Sequence, residues 1–148
     1  MSTRVRPLLL GALAVGVVDL VFAFVFWWGR VPPTRILQSI ARGVLGREAF
    51  RGGTGTAVLG GLLHFVIATA MTLAYYLASR RIPALVRHPW PFGAVYGALL
   101  YVAMNFVVLP LSAAGKPSFE NHAWVGWGVA FHIVFGLIIA HACRLASR

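Results

Sequence analysis

Four strongly polar residues stand alone inside long apolar runs: Asp19 in VVDLVFAFVF, His64 in LGGLLHFVIA, Asn105 in YVAMNFVVLP and His132 in VAFHIVFGLI. A carboxylate and two imidazoles can pass protons between them or hold a cation, and a carboxamide can orient a ligand or a water. An Asp at the centre of a membrane helix costs about 2.5–3.5 kcal/mol to insert, and each Leu, Val or Phe returns up to about 0.3–0.6 kcal/mol. The first run carries 13 such residues and therefore tolerates Asp19. The finished protein need not accept the carboxylate unpaired, so Asp19 is expected to be protonated or paired with His64 or His132.

Three uses of this quartet compete. It can be a polar site for a proton, an ion or a small solute, with Asp19 and the histidines relaying protons and Asn105 orienting the guest. It can be a hydrogen-bonded layer that only fixes helix register, each bond contributing roughly 0.6–2 kcal/mol. It can hold a cofactor: His64 and His132 facing each other would ligate haem, and Asp19 with both histidines could hold a metal. No cofactor is expected on the strength of two histidines alone.

The elements that must position these residues follow from composition. Of 148 residues, 59% are hydrophobic and 11% charged, with a mean hydropathy of +0.81. Soluble domains carry about 25% charged residues, so the deficit marks a membrane protein. Four stretches, Pro7–Gly29, Thr54–Ala78, Phe92–Ala114 and Ala123–Leu145, are each long enough to cross about 30 Å of hydrocarbon. Trp27, Trp28, Trp124 and Trp127 fall on one side of these spans, and Tyr75, Tyr76 and Trp90 on the other, as interfacial aromatics do. The expectation is one all-α domain over residues 1–148, an up-down four-helix membrane bundle with no room for a soluble domain.

Counting along the spans sets the quartet's depth. His64 and His132 lie ten and nine residues below the Trp side, about 15 and 14 Å. Asp19 and Asn105 lie twelve and thirteen residues in from the other side, about 18 and 20 Å. All four therefore fall near one level. Small residues share their faces: Ala12, Gly16 and Ala23 with Asp19, Ala57, Gly60, Gly61 and Ala68 with His64, and Gly128 and Gly136 with His132. Such faces turn toward other helices. Asn105 is less clearly placed, with Ala98 and Ser112 on its face but Tyr101 as well, and Gly93-x-x-x-Gly97 offers that span a separate close-contact patch.

The link RVPPTRILQSIARGVLGREAFRGG predicts a short interfacial helix over 34–45. Pro32-Pro33 end the first span and Thr34 can cap the new helix. Ile36, Leu37, Ile40 and Val44 form its apolar face, with Arg35, Gln38, Ser39 and Arg42 opposite. Arg35, Arg42 and Arg47 are expected to reach lipid headgroups. Pro110 removes a helix donor and clashes with the Phe106 carbonyl, which predicts a break in span three.

The 13 Lys and Arg, all Arg but Lys116, give a net charge of +10 against three acidic residues. These charges flank the spans, so anionic lipids are the expected partners and nucleic acid is not. Arg4, Arg6, Arg80, Arg81, Arg87, Arg144 and Arg148 on one side nearly balance Arg30, Arg35, Arg42, Arg47, Arg51 and Lys116 on the other, and lean toward both termini inside. The first run lacks a small-residue cleavage site and is expected to remain as a span. Cys143, the single cysteine, cannot form an intramolecular disulfide. No nucleophile-and-base motif or phosphate loop is present, which argues against an enzyme. Small-residue faces and ample lipid-facing surface suit a homo-oligomer or a membrane partner. His141 is placed at the membrane edge, and His88 and His122 in links.

RILQSIARGVLGREAFRGG, LGGLLHFVIA and YGALLYVAMNFVVLPLS, with Asp19 and His132, resemble a group of small, uncharacterised bacterial inner-membrane proteins with four spans. The likeness covers nearly the whole chain. It implies a bacterial cytoplasmic membrane and brings no activity, cofactor or assigned site.

Overall fold

The computed structural model describes residues 5–148; Arg4, counted above among the flanking arginines, lies outside them. The described chain is all-helical. Its helices are α1 (Val5–Phe26), α2 (Pro33–Leu45), α3 (Gly53–Arg81), α4 (Pro89–Leu111) and α5 (His122–Ala146). Short helical turns at Gly46–Phe50 and Ala84–Arg87 join α2 to α3 and α3 to α4. Helices α1, α3, α4 and α5 are each long and apolar enough to cross a membrane, and the chain is a multi-pass membrane protein.

Local chemistry explains the boundaries. Pro33 stands at the first position of α2, where its missing N–H is not needed. Gly46, at φ +60°, ends that helix. Pro89 opens α4 in the same way. Asn121 caps α5 by accepting the Trp124 amide at 3.0 Å. The third span is shifted from its expected 92–114 because the Pro89 start lies earlier and the chain turns extended at Ser112. The second is longer than expected, running on through Arg80 and Arg81, whose charges suit a helix C-terminus.

The spans alternate in direction. Helix α5 packs along α4 and α1 and more lightly against α3, while α1 also packs on α3. Glycine makes the α4–α5 seam close: Gly97 lies against the His132 carbonyl and Gly136 against the backbones of Gly93 and Gly97. Gly93-x-x-x-Gly97 is thus the seam of these two helices. Helices α3 and α4 form no comparable seam. At one end they are bridged by tyrosines, Tyr96 donating to the Met71 carbonyl at 2.7 Å with its ring 4.8 Å from that of Tyr75. There Tyr75, Phe135, Ile139, Ala140 and Cys143 form a packed core. At the other end Trp27 and Trp124 lie 5.6 Å apart, and the helices part around a cavity.

Candidate functional site: a polar cavity under α2

The cavity has a volume of about 540 Å³, and Asp19, His64, Asn105 and His132 all line it. Four residues separated by up to 113 positions of sequence meet on one cavity wall. Val15, Ala68 and Phe135 line it where it meets the packed core. Phe22, Trp124 and Tyr101 contribute aromatic wall, with Phe22 stacked 5.3 Å from Trp124.

The hydrogen bonds of the quartet have a common direction. His64 Nε2 lies 2.9 Å from the Gly16 carbonyl, and because a carbonyl only accepts, Nε2 carries the proton and donates. His132 Nδ1 donates in the same way to the Gly128 carbonyl at 2.8 Å. Asn105 Nδ2 donates to the Tyr101 carbonyl at 2.9 Å. Among the described residues, no quartet side chain hydrogen-bonds another. The nearest approach is His64 Nε2 to Asp19 Oδ2 at 3.9 Å, and the Asp19 side chain retains 35% of its surface accessible. The expected Asp19 pairing is therefore an approach to His64 outside hydrogen-bond distance. His132 also presents an edge to the Tyr101 ring, 5.3 Å away.

Asn105 owes its place to Pro110. Residues Met104–Val108 form a π-helical turn, closed by the Leu109 amide on the Met104 carbonyl. Proline cannot bond the carbonyl four residues back and crowds it, and the wider turn relieves that conflict. The break expected from Pro110 is thus a π-turn around Asn105. Such turns occur mostly as single insertions and often at functional sites.

Helix α2 closes the cavity at the tryptophan end. Ile36, Ser39, Ile40 and Gly43 line it. Gly60 of α3 receives the Leu37 carbonyl with no room for a side chain, and the Gly43 carbonyl accepts the Ala113 amide at 2.9 Å. One expectation for this helix is corrected. Gln38, placed on the outward polar face, is buried and donates to the Gly53 carbonyl at 2.9 Å and to Thr56 Oγ1 at 3.3 Å. The reason is that α2 docks sideways on α3 through Leu37, Gln38 and Ala41, a partner that helical periodicity alone cannot name. Val44, on the expected apolar face, is exposed on the protein surface, where an interfacial helix would present it to lipid. The three arginines expected at headgroups take different settings, with Arg35 and Arg47 both exposed. Arg35 also lines the cavity and sits over the Phe50 ring at 5.1 Å, and Arg42 has its Nε buried.

Sequence reasoning placed Tyr101 and Ser112 on the Asn105 face but missed Tyr101 as the partner of Asn105 and His132, and missed Arg35 and Ser39 as cavity wall. The i−4 spacing of Tyr101 before Asn105 was the available signal for the first; nothing in the sequence announces the second. Three His, Cys, Asp or Glu side chains do not gather into a metal-binding group anywhere among the described residues. His64 uses Nε2 on Gly16, so only Nδ1 remains to ligate a haem or a metal. His141 lies elsewhere, against Trp90 at 4.8 Å and beside Arg6 in a groove at the other end of the bundle. No known protein family, curated protein or solved structure matches the chain.

Proposed function

We propose that the protein is a small multi-pass protein of the bacterial cytoplasmic membrane whose central cavity binds or passes a proton, an ion or a small polar solute, acting alone or as an accessory to transport. The observation that carries this reading is the hydrogen-bond pattern of the quartet. A register-fixing layer joins helices through side chain to side chain bonds. Among the described residues the side chains of Asn105 and His132 hydrogen-bond only to their own helices, and Asp19 makes no hydrogen bond, its nearest partner being His64 Nε2 at 3.9 Å, while it faces open volume. Polar groups placed in a membrane helix at a cost, then left available, are the mark of a site. The bacterial location follows from the likeness of the sequence motifs.

One observation favours the structural alternative. The His64 bond to Gly16 crosses from α3 to α1, and His64 therefore holds two helices together whatever else it does. Thermal unfolding of Asp19→Asn in mild detergent separates the two readings. A site residue with no hydrogen bond to lose leaves the melting temperature unchanged or higher while a proton or ligand response disappears. A marked fall in melting temperature would establish the register-fixing role and sink the proposal.

A further inference from the structure

Resting on the polar-site reading, we infer that the cavity takes a lipophilic organic monocation, an amine carried as its ammonium form, with its charge at Asp19 and its apolar body toward the aromatic wall. Donor and acceptor accounting leads there. The donors His64 Nε2–H, His132 Nδ1–H and Asn105 Nδ2–H already serve the carbonyls of Gly16, Gly128 and Tyr101. What remains of the quartet is mostly acceptor capacity, the Asp19 carboxylate, His64 Nδ1, His132 Nε2 and Asn105 Oδ1, against one spare donor, the second Asn105 Nδ2–H. A guest that satisfies them must bring donors, and beside a carboxylate in an apolar span the fitting donor is positively charged.

The rest of the wall selects among cations. A volume of about 540 Å³ far exceeds a bare ion and lies within the range of small-molecule pockets. The lining is mostly apolar, and Phe22, Trp27, Tyr101 and Trp124 supply aromatic surface, and aromatic rings attract ammonium groups as well as apolar bodies. The absence of a three-ligand group among the described residues argues against a dehydrated metal cation. Arg35, the other formally charged side chain on the wall, sits on α2 with its guanidinium over Phe50. A dication would meet it unfavourably; a monocation with its charge at the Asp19 end does not. The cavity is thus polarised, negative at mid-bundle and positive under α2.

The test uses the full-length protein in lipid nanodiscs and three probes of similar size: benzylammonium, benzyl alcohol and benzoate. Trp27 and Trp124 on the wall report saturable binding by fluorescence. Benzylammonium is expected to bind at least about tenfold more tightly than benzyl alcohol, a difference that Asp19→Asn abolishes and the remote Arg144→Gln leaves intact. Equal affinity for the alcohol, or ammonium binding retained in Asp19→Asn, would overturn the charge assignment and leave the polar-site reading standing. Preference for benzoate would overturn it in favour of an anion held by Arg35. Purely non-saturable uptake of all three probes would overturn the inference, and the Asp19→Asn unfolding experiment then decides separately whether the polar-site reading falls with it.

Discussion

The two ends of this bundle solve the same problem in opposite ways. At the tyrosine end the buried polar side chains among the described residues are matched: Tyr75 donates to the Leu85 carbonyl at 3.0 Å, Tyr96 to Met71, and Thr72 to the Ala68 carbonyl at 2.9 Å. Apolar side chains fill what is left, with Ile139, Ala140 and Cys143 fully buried. At the tryptophan end α3 and α4 stand apart, the gap stays open, and a separate helix covers it. In lipid, helices associate through packing and hydrogen bonds, since the tails are as apolar as the side chains. A protein that forgoes both over part of its core gives up stability there, and the two ends should differ in how they respond to substitution.

The largest expected effect lies in the seam that supports both ends. Gly97→Val pushes a branched side chain into the His132 backbone, which neither helix can yield without parting, and should cost more than about 3 kcal/mol. Loss of monodisperse protein on size-exclusion chromatography checks this. Next, Ile139→Ala at the packed end should cost about 2–5 kcal/mol, against a change within about 0.5 kcal/mol for Asn105→Ala in the cavity. Equal losses in the two variants, measured by thermal unfolding, would erase the contrast. His64→Ala belongs between them, losing the cross-helix bond to Gly16 and about 0.6–2 kcal/mol.

Smaller in free energy, but more direct, is solvent access. Cys143 is fully buried and its Sγ faces the Thr72 carbonyl at 3.8 Å, so the native thiol should stay unlabelled by a charged methanethiosulfonate. Ser112→Cys and Ala23→Cys on the cavity wall should label, and Ala140→Cys at the packed end should not. Gln38→Leu, which removes the bonds holding α2 to Gly53 and Thr56 at a cost of about 1 kcal/mol, should speed labelling at Ala23→Cys. An unchanged rate would mean that α2 does not control entry.

How much of this was legible beforehand depends on the range of the physics involved. The four spans, their alternation and the sidedness of Trp27 and Trp124 follow from apolar length and interfacial preference, which act residue by residue. That Asp19, His64, Asn105 and His132 share a level follows from counting, because a helix crossing a slab of fixed thickness turns sequence distance into depth. The break at Pro110 was legible for the same local reason, although its form as a π-turn was not. The face of α2 was misjudged at Gln38, since burial there is set by α3.

The sequence by itself therefore determined that this is a four-span helical membrane protein with one polar residue near the middle of each span. It could do so because the bilayer supplies the reference plane, and every helix satisfies its own backbone. Only the tertiary structure decided what those residues face. Gly93, Gly97 and Gly136 draw α4 onto α5, the tyrosines prop α3 from α4, and the space left over becomes a cavity rather than a bonded layer. Whether a polar side chain meets a neighbour or an opening depends on helix separations of a few ångströms, which arise from packing among segments far apart in the chain.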